Sequence, residues 1–241
     1  MELLHIILLI SVGVGAGFVQ RVSGFGLGIF AMTFLPHFLP SHTAAATISA
    51  LLSLVTSSYN SVRYRKNISF KTVLPMLGAA LVSIPIAVYF SKSVSGRMFE
   101  LMLGIVLIAL GIYFIFFNRR FRLKPTVPNG IVAGTLGGAL NGLFSTGGPP
   151  VVLYLTGATP DKLTYFSTVQ FFFCVTNIYA TATRAVNGIL TAELLLYSLF
   201  GIVGCMTGDF LGKFVFDRMD SDRFKSMIYI SMMISGVVLF I

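Results

Sequence analysis

Read for polarity alone, the chain is a succession of apolar runs of roughly twenty residues separated by short polar stretches. The runs cover 3–36, 43–62, 72–91, 98–117, 130–155, 163–182, 189–211 and 225–241, and little sequence lies between them. A helix needs about 20 residues to cross roughly 30 Å of hydrocarbon, and in lipid every backbone polar group must be satisfied internally. The pattern therefore predicts an all-α polytopic membrane protein of about eight apolar segments, with no room for a soluble domain. The first run is too long for one span, because ~34 residues of helix extend about 50 Å. It is expected to break at SGFGLG, Ser23 to Gly28, and the run 130–155 carries a counterpart in STGGPP, Ser145 to Pro150. Glycine and proline do not sustain regular helix. Backbone freed from helical pairing at membrane depth persists only against protein or a watery cavity, so the two clusters mark the expected substrate path.

The clusters lie about half a chain apart, and other residues repeat at a similar distance. Pro40 and Pro160, Thr47 and Ser167, Val55-Thr56 and Val175-Thr176, Tyr59 and Tyr179, and Asn67 and Asn187 share one offset of about 120 residues. A slip of about two residues brings Ser23 onto Ser145, and a drift of about five brings Phe99 onto Phe224. This predicts two homologous transmembrane repeats, 1–124 and 125–241, forming one membrane domain. If each begins with a broken first helix, a helix-turn-helix hairpin, each has an odd number of passes and the second is inverted. Lysine and arginine placement favours inversion. It puts the 63–71 and 119–124 loops, Lys162 and the 213–225 loop inside, and leaves Lys92, Arg97 and Arg184 outside. Parallel repeats would put Lys213, Arg218, Arg223 and Lys225 outside.

Composition agrees with the pattern: 56% of residues are hydrophobic and 10% charged. The formal net charge of +9 suggests a nucleic-acid partner until its placement is considered. Arg63, Arg65, Lys66 and Lys71 share one short loop and Arg119, Arg120, Arg122 and Lys124 another, which is the signature of cytoplasmic loops and not of a nucleic-acid face. Glu2 at the start, and no small-residue cleavage site after the first run, argue against a removed signal peptide. Cys174 and Cys205 fall inside apolar runs and read as small buried hydrophobes.

The candidate chemistry is that of an anion site. A helix restarting after a break points unpaired N–H groups and a partial positive charge into the gap. Gly24, Gly26 and Gly28 in one half, and Gly147 and Gly148 in the other, allow close approach of a ligand to the backbone. Ser23, Ser145 and Thr146 add hydroxyls, and Gln20 and Asn141 add amides. Close helix packing is the alternative and would suffice for one isolated glycine, whereas two matched clusters favour a site. Arg21, directly before the first break, calls for a partner, an anionic ligand or a snorkelling route to the interface. Thr56, Asn60, Gln170, Thr176 and Asn177 are candidates to line a cavity, or to bond between helices. Asp209 is a candidate coupling carboxylate, although Lys213 one turn later invites a plain ion pair. His5, His37 and His42 lack metal-site spacing and fall toward segment ends, so no metal site and no cofactor is expected.

The paired glycine-rich breaks, above all GALNGLFSTGGPPVVLYL in the second half with VQRVSGFGLG in the first, together with the duplication and the near absence of extramembrane sequence, resemble the TauE/SafE family of sulfite exporters. The resemblance covers essentially the whole chain, with Gly137 to Pro150 its most specific part. It implies a multi-pass permease of the bacterial inner membrane for a small anion, notably sulfite or an organosulfur compound such as a sulfonate. An anion channel, an intramembrane enzyme and a membrane scaffold are the alternatives. The enzyme reading lacks parts: GLFSTGG is no G-x-S-x-G elbow, no second-half histidine can serve Ser145 as a base, and Asp209 has no second intramembrane carboxylate. Oligomeric state, coupling ion and transport direction are left open by the sequence.

Overall fold

The computed structural model describes residues 3–99, 101–102, 104–105, 108–109, 125–218 and 220. Their regular structure is helical: α1 (Leu3–Ser23), α2 (Leu27–Phe34), α3 (His42–Arg63), α4 (Phe70–Ser91), α5 (Val127–Phe144), α6 (Gly148–Ala158), α7 (Lys162–Val186) and α8 (Ala192–Arg218). The runs 3–36 and 130–155 each resolve into two helices, broken where glycine and proline cluster. The expected segment 98–117 is described only in part, and both the segment 225–241 and the basic stretch 119–124 lie outside the described residues.

By length and composition α1, α4 and α8 can cross a membrane. α3 and α7 are as long, at 22 and 25 residues, but are far more polar. Their polar residues point inward. Thr47, Ser49, Ser53, Thr56, Asn60, Gln170, Thr176 and Asn177 are buried, while Leu74, Val82, Ile86, Val203 and Phe210 on the flanking helices are exposed. Polar inside and apolar outside is the reverse of a water-soluble bundle, and it suits lipid as the surrounding solvent. α4 contains Pro75 and Pro85, a helix interior that neighbouring helices must support.

Small residues set the closest contacts. A Cβ added to Gly17 would overlap the backbone of Cys205, one on Gly204 the backbone of Ile10, and one on Gly208 that of Val14, so α1 and α8 touch backbone to backbone. Gly134, Gly138 and Gly142 of α5 meet Met76, Ala80 and Ile84 of α4 in the same way. In both pairs the residue numbers rise together, so each pair runs parallel. α3 and α7 cross antiparallel: Asn177 Nδ2 donates to Ser53 Oγ at 2.9 Å, Ser58 Oγ and Cys174 Sγ are 3.3 Å apart, and Tyr64 meets Phe166 edge-on.

The short helices fold back as hairpins. Phe30 of α2 reaches Gly15, and beyond α2 Phe38 stands beside His5, with ring centroids 6.4 Å apart. Likewise Val151 and Tyr154 of α6 reach Gly137 and Gly130. α7 starts on a strong cap: Asp161 accepts from the amides of Leu163 and Thr164, both at 2.9 Å, and from the Thr164 hydroxyl at 2.6 Å. The Thr164 hydroxyl and amide hold the Asp161 carboxyl below the usual carboxylate range.

Candidate functional site

The two breaks meet. A Cβ on Gly28 would overlap the carbonyl of Ser145, and a Cβ on Gly148 would overlap the ring of Phe25. These glycines therefore bring one break onto the other, and close packing accounts for their lack of a side chain. Gly147 is pressed against Gly137 and Asn141, whereas Gly26 faces the side chains of Val19 and Ser23.

The first break satisfies its own polar groups. Gly24 turns the chain with φ 87°, a left-handed value that glycine takes without strain. Ser23 Oγ accepts from the amides of Phe25 at 3.3 Å and Gly26 at 3.0 Å and donates to the Val19 carbonyl at 2.7 Å. Its hydroxyl thus closes the turn between α1 and α2 and is not spare for a ligand. Gln170 of α7 donates to the Gly24 carbonyl at 2.8 Å and accepts from Gln20 Nε2 at 3.2 Å.

Arg21 is 1% exposed, and its two terminal nitrogens find partners in the protein, while Nε has none among the described residues. Nη1 donates to Asn60 Oδ1 and Nη2 to the Tyr64 hydroxyl, both at 2.5 Å, and Asp209 lies 3.8 Å from Nη1. The guanidinium also lies 5.0 to 5.3 Å from the centroids of Tyr64, Phe166 and Phe216. Asp209 accepts from Asn60 Nδ2 at 2.8 Å, so arginine, asparagine and aspartate close a ring among α1, α3 and α8. The pair expected between Asp209 and Lys213 is not made. Lys213 instead stands 3.5 Å from Asp217, because its side chain leaves the buried face.

The second break is less self-contained. Ser145 sits in the left-handed region at φ 56°, the lone non-glycine residue with positive φ among the described residues. Its amide bonds the Asn141 carbonyl at 3.0 Å and its hydroxyl donates to the Ala46 carbonyl of α3 at 2.6 Å. Pro149 and Pro150 occupy the first turn of α6, and neither has an N–H. That removes two of the amide donors expected at the restart. Thr146 is buried, and its hydroxyl has no hydrogen-bond partner among the described residues.

The other candidates join interhelical bonds or bond their own helix. Asn141 Nδ2 donates to Asn177 Oδ1 at 3.1 Å, which continues the line from Asn177 to Ser53. Thr56 and Thr176, 120 residues apart in the sequence, donate to the carbonyls of Leu52 and Phe172 four residues back.

Arg184 is the residue missing from this set on sequence grounds. Its place near a segment end assigned it to an outer loop, yet it is 1% exposed. Nη2 donates to the carbonyls of Asn141 at 3.2 Å and Gly142 at 3.0 Å and to Ser145 Oγ at 3.2 Å. A signal was present: Gln170, Asn177 and Arg184 are spaced by seven, which puts them on one face of α7.

Comparison with known proteins bears on what this centre does. The family model "Sulfite exporter TauE/SafE" matches residues 9–239. The chain is similar to a probable sulfite/organosulfonate exporter of Cupriavidus necator, 24% identical over 220 residues that cover 88% of this chain and 85% of that protein. No solved structure matches.

Proposed function

The chain belongs to the sulfite exporter TauE/SafE family, and on that premise we propose that it exports a small oxyanion, sulfite or an organosulfonate, by alternating access around the point where its two helix breaks meet. Membership makes it a multi-pass membrane transporter and not an enzyme. The observation that carries the rest is the contact of Gly28 with the Ser145 carbonyl and of Gly148 with Phe25. Broken helices are where transporters place substrate, since a break is the one place at membrane depth where backbone groups and polar side chains face a shared space.

Alternating access needs two bodies that can rock against each other. The packing supports a division into 1–124 and 125–241 inserted in opposite senses. Exchanging the halves turns the parallel pair α1 with α8 into the parallel pair α5 with α4, and turns one hairpin into the other. It also maps the antiparallel crossing of α3 and α7 onto itself. Ser23 to Gly28 and Ser145 to Gly148, flanked by Gln20, Arg21 and Asn141, form the proposed passage. The network through Asn60, Gln170 and Asn177 ties the halves together beside it.

The test is flux of sulfite in proteoliposomes. Vesicles loaded with sulfite should release it at a saturable rate, and external sulfite should accelerate exchange of labelled internal sulfite, as a carrier requires. Release no faster than from protein-free vesicles, for sulfite and for small sulfonates alike, would refute the reading; release without saturation or counterflow would replace the carrier by a channel.

A further inference from the structure

We propose that the anion is held at the second break by the guanidinium of Arg184 together with the Thr146 hydroxyl, while Arg21 at the first break acts as a structural cation. This deepens the function proposed above and rests on it. The two arginines are the bulkiest polar side chains among the fully buried residues, and they differ in how their charge is met. Arg21 has Asp209 at 3.8 Å, and two further acceptors and three rings surround it. Among the described residues Arg184 bonds only neutral groups, two backbone carbonyls and one hydroxyl. Those carbonyls end α5, where the helix dipole offsets a fraction of a charge and leaves the rest unmet. On the α4 side, Gly142 lies against Ile84, Ala87 and Val88, which carry no acid.

The bonding of Arg184 is also lopsided. All three of its hydrogen bonds leave from Nη2, and Nη1 is buried with no hydrogen-bond partner among the described residues. The Thr146 hydroxyl on the same break, and that of Ser49 one turn along α3 from Ala46, are buried without partners too. A capping role for α5 accounts for Nη2 and leaves Nη1 unexplained. A buried unpaired cation is costly, and it persists where something else supplies the opposite charge. An oxyanion such as sulfite does so: it accepts from a guanidinium and from a hydroxyl at once, and its charge answers the one that the described residues leave open at Arg184.

Sulfite-dependent thermal stability of the purified full-length protein decides the matter, with sulfite exchanged for chloride at constant ionic strength. Wild-type melting should rise with sulfite, because a ligand that binds only the folded state stabilises it by mass action. Arg184→Gln should move the sulfite midpoint upward at least about tenfold, the scale of one charge-assisted hydrogen bond. Arg184→Lys should fall between, and Lys92→Gln, which removes an exposed charge, should match wild type. If Arg184→Gln does not fold, Thr146→Val decides, with a several-fold upward shift expected. Wild-type midpoints in the Arg184 and Thr146 variants would overturn this assignment while leaving the transport reading intact. Absence of any sulfite effect on the wild type, with no sulfite flux in vesicles, would overturn both.

Discussion

Arg21 and Asp209 show how little a charge in an apolar run says by itself. Its depth next to a break made Arg21 a candidate for the substrate, whereas its surroundings close it within the protein through Asn60, Tyr64 and Asp209. Removing one member of such a buried set leaves the other charge without compensation. Arg21→Gln is therefore expected to cost about 3–5 kcal/mol of stability, and Arg21→Gln with Asp209→Asn to recover most of it. Melting temperatures of the single and double variants check this; a double variant as unstable as the single would show that the pair is not the reason for burial. Sequence could not reach this pairing, because Lys213 is the nearer partner along the chain and Arg21 becomes the nearer one only when α1 packs on α8. Arg184 was misread for a related reason. The apolar run ends near 182, but α7 continues to Val186, so a residue counted as a loop cation lies on the last buried turn. Counting lysines and arginines at segment ends treats every such charge as solvated.

At the scale of the elements, the breaks were legible because glycine and proline act locally: SGFG and STGGPP name the two places where α1 and α5 stop. What the breaks present to each other was not legible, since Ser23 and Ser145 look like free donors until their hydroxyls are seen to close the turn at Gly26 and to bond Ala46. The same residue type also serves different ends on one fold. Gly208 lies against the backbone of Val14, whereas a Cβ on Gly78 would meet nothing within 4 Å. Gly208→Leu should accordingly lower stability by about 1–3 kcal/mol or more through overpacking of α1 on α8. Gly78→Leu should be neutral or stabilise by up to about 1 kcal/mol through helix propensity. Thermal melting in detergent compares the two directly, and equal effects would contradict the packing assigned to these helices.

For the whole molecule, the proposed duplication matters more than any single residue, because it would explain how two breaks far apart in the chain come to face each other. On the proposed arrangement, a half inserted one way and its counterpart inserted the other would bring both hairpins to the same depth from opposite sides. The paired packing of α1 with α8 and α4 with α5 fits that arrangement, and so does the charge asymmetry of the short loops. The most direct test places single cysteines at Asn67 and Asn187, equivalent positions in the proposed halves, in a protein whose Cys174 and Cys205 have been replaced. An impermeant thiol reagent should reach position 187 from outside intact cells and position 67 only after the membrane is opened. Labelling of both positions from the same side would contradict opposed halves and with them the alternating-access account.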